Sequence, residues 1–152
     1  MIDVDVLKRD AHFAAPGAVN ELDNEPADVN SDGVQVHLRA APAAPQFDWL
    51  VVPEPPSGVR VRGRALAMPG APWLHAAATT TATGWRVVCA IRIAGVLAAG
   101  VPFRLAVVVN DMSSGRERRR GQLVLGAPGR FVYLRGDRHA ADDSFSFVIA
   151  DE

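Results

Sequence analysis

The chain of 152 residues carries 16 Lys+Arg against 17 Asp+Glu, so its overall field draws it neither to nucleic acid nor to an anionic membrane surface. That length suits one domain over 1–152 that buries roughly two-thirds of its unfolded surface, and the lone Cys89 excludes an internal disulfide and a cysteine-cluster zinc site. No apolar run approaches the ~20 residues of a membrane-spanning helix, and Asp3 and Asp5 stand where a signal peptide would carry positive charge, so export by that route is not expected.

Ile2, Val4 and Val6 alternate with Asp3 and Asp5, a period-two pattern that predicts a half-buried strand beginning almost at the first residue. Ala11 to Ser31, rich in Ala, Pro, Asn, Asp and Glu, reads as a long loop laid over the fold. Val34, Val36 and Leu38 alternate with Gln35, His37 and Arg39, which predicts a strand with its aliphatic side inward and its polar side out. Phe47 to Val52 predicts a strand stopped by Pro53, and Val59 to Arg64 a return strand with Arg60, Arg62 and Arg64 on one face. The two are expected to form a hairpin.

Ala76 to Thr83 mixes helix-favouring alanines with four β-branched threonines, and extended chain is the reading taken. Trp85, Val87, Cys89, Ile91 and Ile93 line one face of the next strand, where Cys89 serves as a small hydrophobe. Val96 to Ala99 is expected to make one helical turn. The clearest buried strand runs from Val101 to Val109, with Phe103, Leu105, Val107 and Val109 inward and a mixed, partly covered opposite face. It ends in Asn110-Asp111, and a basic loop, Arg116 to Arg120, leads to a return strand at Gln122 to Leu125. Gly126 to Gly129 is a predicted hairpin turn, followed by alternating segments around Phe131 and Tyr133 and around Phe145, Phe147 and Ile149. About nine short strands without a long amphipathic helix predict an all-β fold, a two-sheet antiparallel sandwich of jelly-roll or immunoglobulin-like shape.

Chemistry-bearing residues are sparse. Asp28, Asn30 and Asp32 before Gly33 match the opening of a calcium loop, with Asp23 and Glu25 as further oxygen donors, although Arg39 stands where a bidentate acid is expected. A plain Asx-rich turn is the alternative. The histidines at 12, 37, 75 and 139 have no metal-ligand spacing, and Met68 or Met112 with His37 or His75 is the remaining axial pair for haem. No Ser or Cys sits in a nucleophile elbow or beside a matched base, so an enzyme is not expected. Trp85 belongs to an apolar stripe. Trp49 and Trp73, each near proline, are candidates to stack on a sugar ring.

Ser31-Asp32-Gly33-Val34-Gln35-Val36, Gly84-Trp85-Arg86-Val87 leading to Ala90-Ile91, and Gly100 with Phe103 ahead of Asn110-Asp111 recur in that order in a known group. In these residues the later two-thirds of the chain resembles carbohydrate-binding module family 9, β-sandwich domains related in shape to the DOMON domains that bind sugar or haem. The chain lacks the acid and proline common around Ala90, and has Gln122-Leu123 where members carry a tryptophan. Members begin with one or two further strands upstream, so self-association through the exposed N-terminal strand is expected. The resemblance implies a non-catalytic module, usually extracellular or periplasmic, holding a saccharide. Trp49 and Trp73 would stack, while Asn110, Asp111, Arg116 and Gln122 bond hydroxyls. A protein-interaction sandwich, or a haem-binding domain, is the alternative.

Overall fold

The period-two alternation is realised as nine strands in a computed structural model that describes residues 1–21, 27–63, 73–92, 95–125 and 145–149. They are β1 (Ile2–Leu7), β2 (Gly33–Arg39), β3 (Gln46–Glu54), β4 (Gly58–Gly63), β5 (Trp73–Thr80), β6 (Gly84–Arg92), β7 (Phe103–Asp111), β8 (Gly121–Leu125) and β9 (Phe145–Phe147). A 3-10 turn, Ala27–Asn30, precedes β2. Strands β1-β6-β5 form a narrow sheet, and β4-β3-β2-β7-β8 a wide one in which β9 also pairs with β7. Every strand pairing among the described residues is antiparallel. Because β2 occupies one side of β7, β9 and β8 share the other, β9 along Phe103–Leu105 and β8 along Val107–Asp111.

The sheets pack face to face as a sandwich, since each strand presents its apolar set to one side. Val34, Val36 and Leu38 of β2, Trp49 and Val51 of β3 and Val107 of β7 meet Leu74 and Ala78 of β5 and Trp85, Val87 and Cys89 of β6. Ile91 and Val109 pack against this core half-buried, while Phe147 lies against Phe103 with ring centroids 5.9 Å apart. The expected features at Asp23, Glu25, Arg64, Met68, Ile93, Gly126–Gly129, Phe131, Tyr133 and His139 lie outside the described residues.

Several sequence expectations are corrected. Strand β3 runs through Pro53 to Glu54, because its register with β2 ends at Val51 and at Pro53 the chain has β4 as its sole paired neighbour, where a missing N–H is tolerated. Val96 to Ala99 is not helical: the chain makes separate turns at Gly95, φ 80°, and at Gly100, φ 71°. Strand β7 accordingly starts at Phe103 rather than Val101. Finally, the polar side of β2 does not face water. Gln35 and His37 are 3% and 5% exposed, and beside them Ala106, Val108 and Asn110 are buried as well.

Candidate functional site

Three segments meet where β1 and β7 end and β2 begins. The first is fastened to the start of β2: the His12 N–H donates to Asp32 Oδ2 at 2.6 Å, the Asp32 N–H to the His12 carbonyl at 2.8 Å, and the Ala14 N–H to Ser31 Oγ at 2.9 Å. The second is the 3-10 turn. The third is the β7–β8 loop, closed by the Arg120 N–H on the Asp111 carbonyl at 2.7 Å and turned at Gly115, φ 77°. Arg119 joins the last two, its N–H reaching Asn30 Oδ1 at 3.4 Å and its guanidinium the Val29 carbonyl at 3.2 Å. The segments enclose a cleft of about 430 Å³ with Phe13, Ala18 and Met112 among its apolar lining and Asn20, Arg116 and Glu117 among its polar lining. Phe13 is held by Trp85, edge-on at 6.0 Å and 82°.

A charge cluster lies directly behind this cleft. Lys8 Nζ contacts Asp32 Oδ1 at 2.8 Å, Asp32 Oδ2 at 2.9 Å, Asp111 Oδ1 at 2.8 Å and the Met112 carbonyl. Asp32, fully buried, also accepts the Met112 N–H at 3.0 Å, and Arg120 Nε holds the other oxygen of Asp111 at 2.7 Å. Burial works to lower the Lys8 pKa, but the hydrogen bonds it donates to Asp111 and Asp32 outweigh it and hold the ammonium above the ordinary lysine range. For Asp111 burial likewise opposes ionisation, and its bonds with Lys8 and Arg120 prevail, leaving its pKa lowered. The cluster fixes β1 of the narrow sheet to β2 and β7 of the wide one. A second hollow of about 330 Å³ beside it is lined by Val6, Lys8, Asn110, Asp111, Gln122 and Leu123, among others.

Comparison with protein-family models, curated proteins and solved structures finds no match. The site is therefore read from its residues. Of those singled out in the sequence, Asn110, Asp111 and Gln122 share the smaller hollow, and Arg116 and Asn30 line the larger cleft. Trp49 is corrected to a core residue: it is 2% exposed and stacked with Phe47 at 6.1 Å, because it is in phase with Phe47 and Val51 on the inner side of β3. Trp73 is 44% exposed on the outer side of the narrow sheet, against His75. It pairs with Arg92, whereas Leu7 at the cleft end pairs with Gly84, a separation of roughly 25 Å along β6. The six residues do not form one site.

The calcium reading is corrected too. Asp28 receives Arg60 at 3.0 Å on one oxygen and Arg62 at 2.8 and 3.0 Å on the other, Asp32 receives Lys8, and Asn30 Oδ1 accepts the Arg119 N–H. Protein cations stand where a metal would, and among the described residues no group of three His, Cys, Asp or Glu could hold one. The haem pair does not assemble either. His37 sits on the far side of the wide sheet between Asp48 Oδ1 at 2.7 Å and Gln35 Oε1 at 3.2 Å, His75 lies on the opposite sheet's outer side, and Met112 is buried at the cleft.

Lys8, His12 and Phe13 were missed in the sequence. For Lys8 the signal was present. It continues the inward series Ile2, Val4, Val6, just as Asp32 precedes Val34 and Asp111 follows Val109 by two residues, so three charges fall in phase with core faces. His12 and Phe13 sit in an aperiodic loop and carry no such mark.

Proposed function

We propose that the protein is a non-catalytic binding module that holds a saccharide in the cleft between the 12–21 segment, the 3-10 turn and the β7–β8 loop. The observation that carries this reading is the cleft's two-sided lining. Half-buried Phe13 and buried Met112 offer an apolar base for the C–H side of a sugar ring, and exposed Arg116 and Glu117 stand at the rim for its hydroxyls. Its volume of about 430 Å³ falls in the range of small-ligand sites. Arg116 thus keeps the hydrogen-bonding role expected of it, Phe13 takes the stacking role assigned to Trp49, and Trp73 lies outside the site. No bond is broken, so ligand leaves chemically unchanged.

The test is a glycan array followed by titration of the leading hit. Arg116→Ala and Glu117→Ala, both on exposed side chains, are expected to weaken binding about tenfold while leaving the melting temperature in place. An array on which no glycan is retained, or a hit indifferent to both substitutions, sinks the reading.

A further inference from the structure

Among the described strands β1 ends the narrow sheet, and its two sides differ in their backbone bonding. Lys8 donates its N–H to the Thr83 carbonyl at 2.9 Å, one residue beyond the Leu7–Gly84 pair. In an antiparallel ladder bonded and non-bonded pairs alternate. Ile2, Val4 and Val6 therefore bond to β6, while the N–H and C=O groups of Asp3, Asp5 and Leu7 point to the open edge.

Among the described residues nothing covers the wide sheet beyond that edge. Leu123 and Leu125 pair with Val109 and Val107 and so belong to the inner face of β8, yet they are 75% and 57% exposed. The second hollow, lined by Val6 and Leu7 on one side and Leu123 on the other, marks the gap. A strand added about 4.8 Å beyond β1 and about 10 Å above β8 would satisfy the open edge and cover both leucines.

We propose that this edge binds a strand of another protein whose residues alternate between apolar, facing Leu123 and Leu125, and basic, facing Asp5. Charge decides the occupant. On the outer side of β1, Asp3 bonds to Arg86 and Asp5 stands opposite the same arginine in register, so among the described residues two acids share one base there. Pairing two copies of β1 antiparallel with their inner sides together places aspartate against aspartate in every register that overlaps residues 3–5, and like charges directly opposite are destabilising. An incoming lysine or arginine has the reverse effect. This surface is separate from the saccharide cleft, and the two readings stand or fall independently.

The experiment uses the intact chain and two short labelled peptides, one alternating valine with lysine and one valine with glutamate, followed by fluorescence anisotropy. The lysine peptide should bind about tenfold more tightly than the glutamate peptide. Asp5→Pro removes an edge donor without touching a β6 bond, and Leu125→Ser removes apolar cover, so each should weaken binding severalfold. Should Asp5→Pro fold poorly, Asp5→Lys serves in its place and should reverse the preference between the peptides. Equal affinity for both peptides, binding of neither, or indifference to the substitutions overturns the proposal. So does a dimer seen by light scattering that Asp5→Pro dissolves, since a second copy would then be the occupant.

Discussion

Removing the Lys8 ammonium would leave the buried Asp32 carboxylate with backbone donors and, among the described residues, no counter-charge in contact. Lys8→Met is therefore expected to cost about 3–5 kcal/mol, read as a lower urea midpoint. The same cluster sets a pH window. The Asp111 pKa lies below its ordinary 3.8, so its contribution is present above that value and lost as pH falls through the lowered one. The Lys8 pKa lies above 10.5, so its contribution is full below that value and lost as pH rises through the raised one. Melting temperature against pH should show a plateau between these limits, and Lys8→Met should remove the lysine's part of the alkaline limb. Cys89 behaves differently: burial pushes its thiol up to about 11, so a thiol reagent at pH 8 should label it only in denaturant. At this scale the parity of a strand was legible in the sequence, but the partners of an inward charge were not. They come from strands more than twenty residues away, and Asp111 lies 103 residues from Lys8.

Strands β1, β2, β6 and β7 were legible because in each an apolar residue recurs at every second position over at least five residues. The segments that broke the rule did so for local reasons, a proline at a half-open position in β3 and paired glycines before β7. Two substitutions test the elements directly. Val107→Asp buries an unpaired charge between the sheets, and a loss of about 4 kcal/mol or more should prevent folding, visible as a missing β-type circular dichroism signal. Gly84→Ala would drive a methyl group into the Val6 carbonyl, which cannot move without parting β1 from β6. Its expected cost is about 1–3 kcal/mol, with faster amide exchange confined to β1 and β6.

For the molecule as a whole, composition and spacing indicated a sandwich but not its unequal widths, since a sequence records which side of a strand is apolar and not how many neighbours cover it. The wide sheet is buried on both sides at its centre, and there the sequence misleads most. With Asp28 and Asp32 neutralised by Arg60, Arg62 and Lys8, thermal unfolding in calcium and in chelator should superimpose. The outer side of that sheet carries a continuous row of side chains: Gln122 and Gln35 each donate to Asn110 Oδ1 at 3.0 Å, Gln35 Oε1 meets His37, and His37 and Gln46 both meet Asp48 Oδ1 at 2.7 Å. Strand β2 thus has a hydrocarbon side and a hydrogen-bonding side, neither of them wet. A slip of one residue against β3 or β7 would send Gln35 and His37 into hydrocarbon and strand Val34 and Val36 among amides, and no solvent-facing side exists to absorb the error. A misaligned β2 is thus penalised twice over, once on each side of the sheet, and its native register is the more strongly specified.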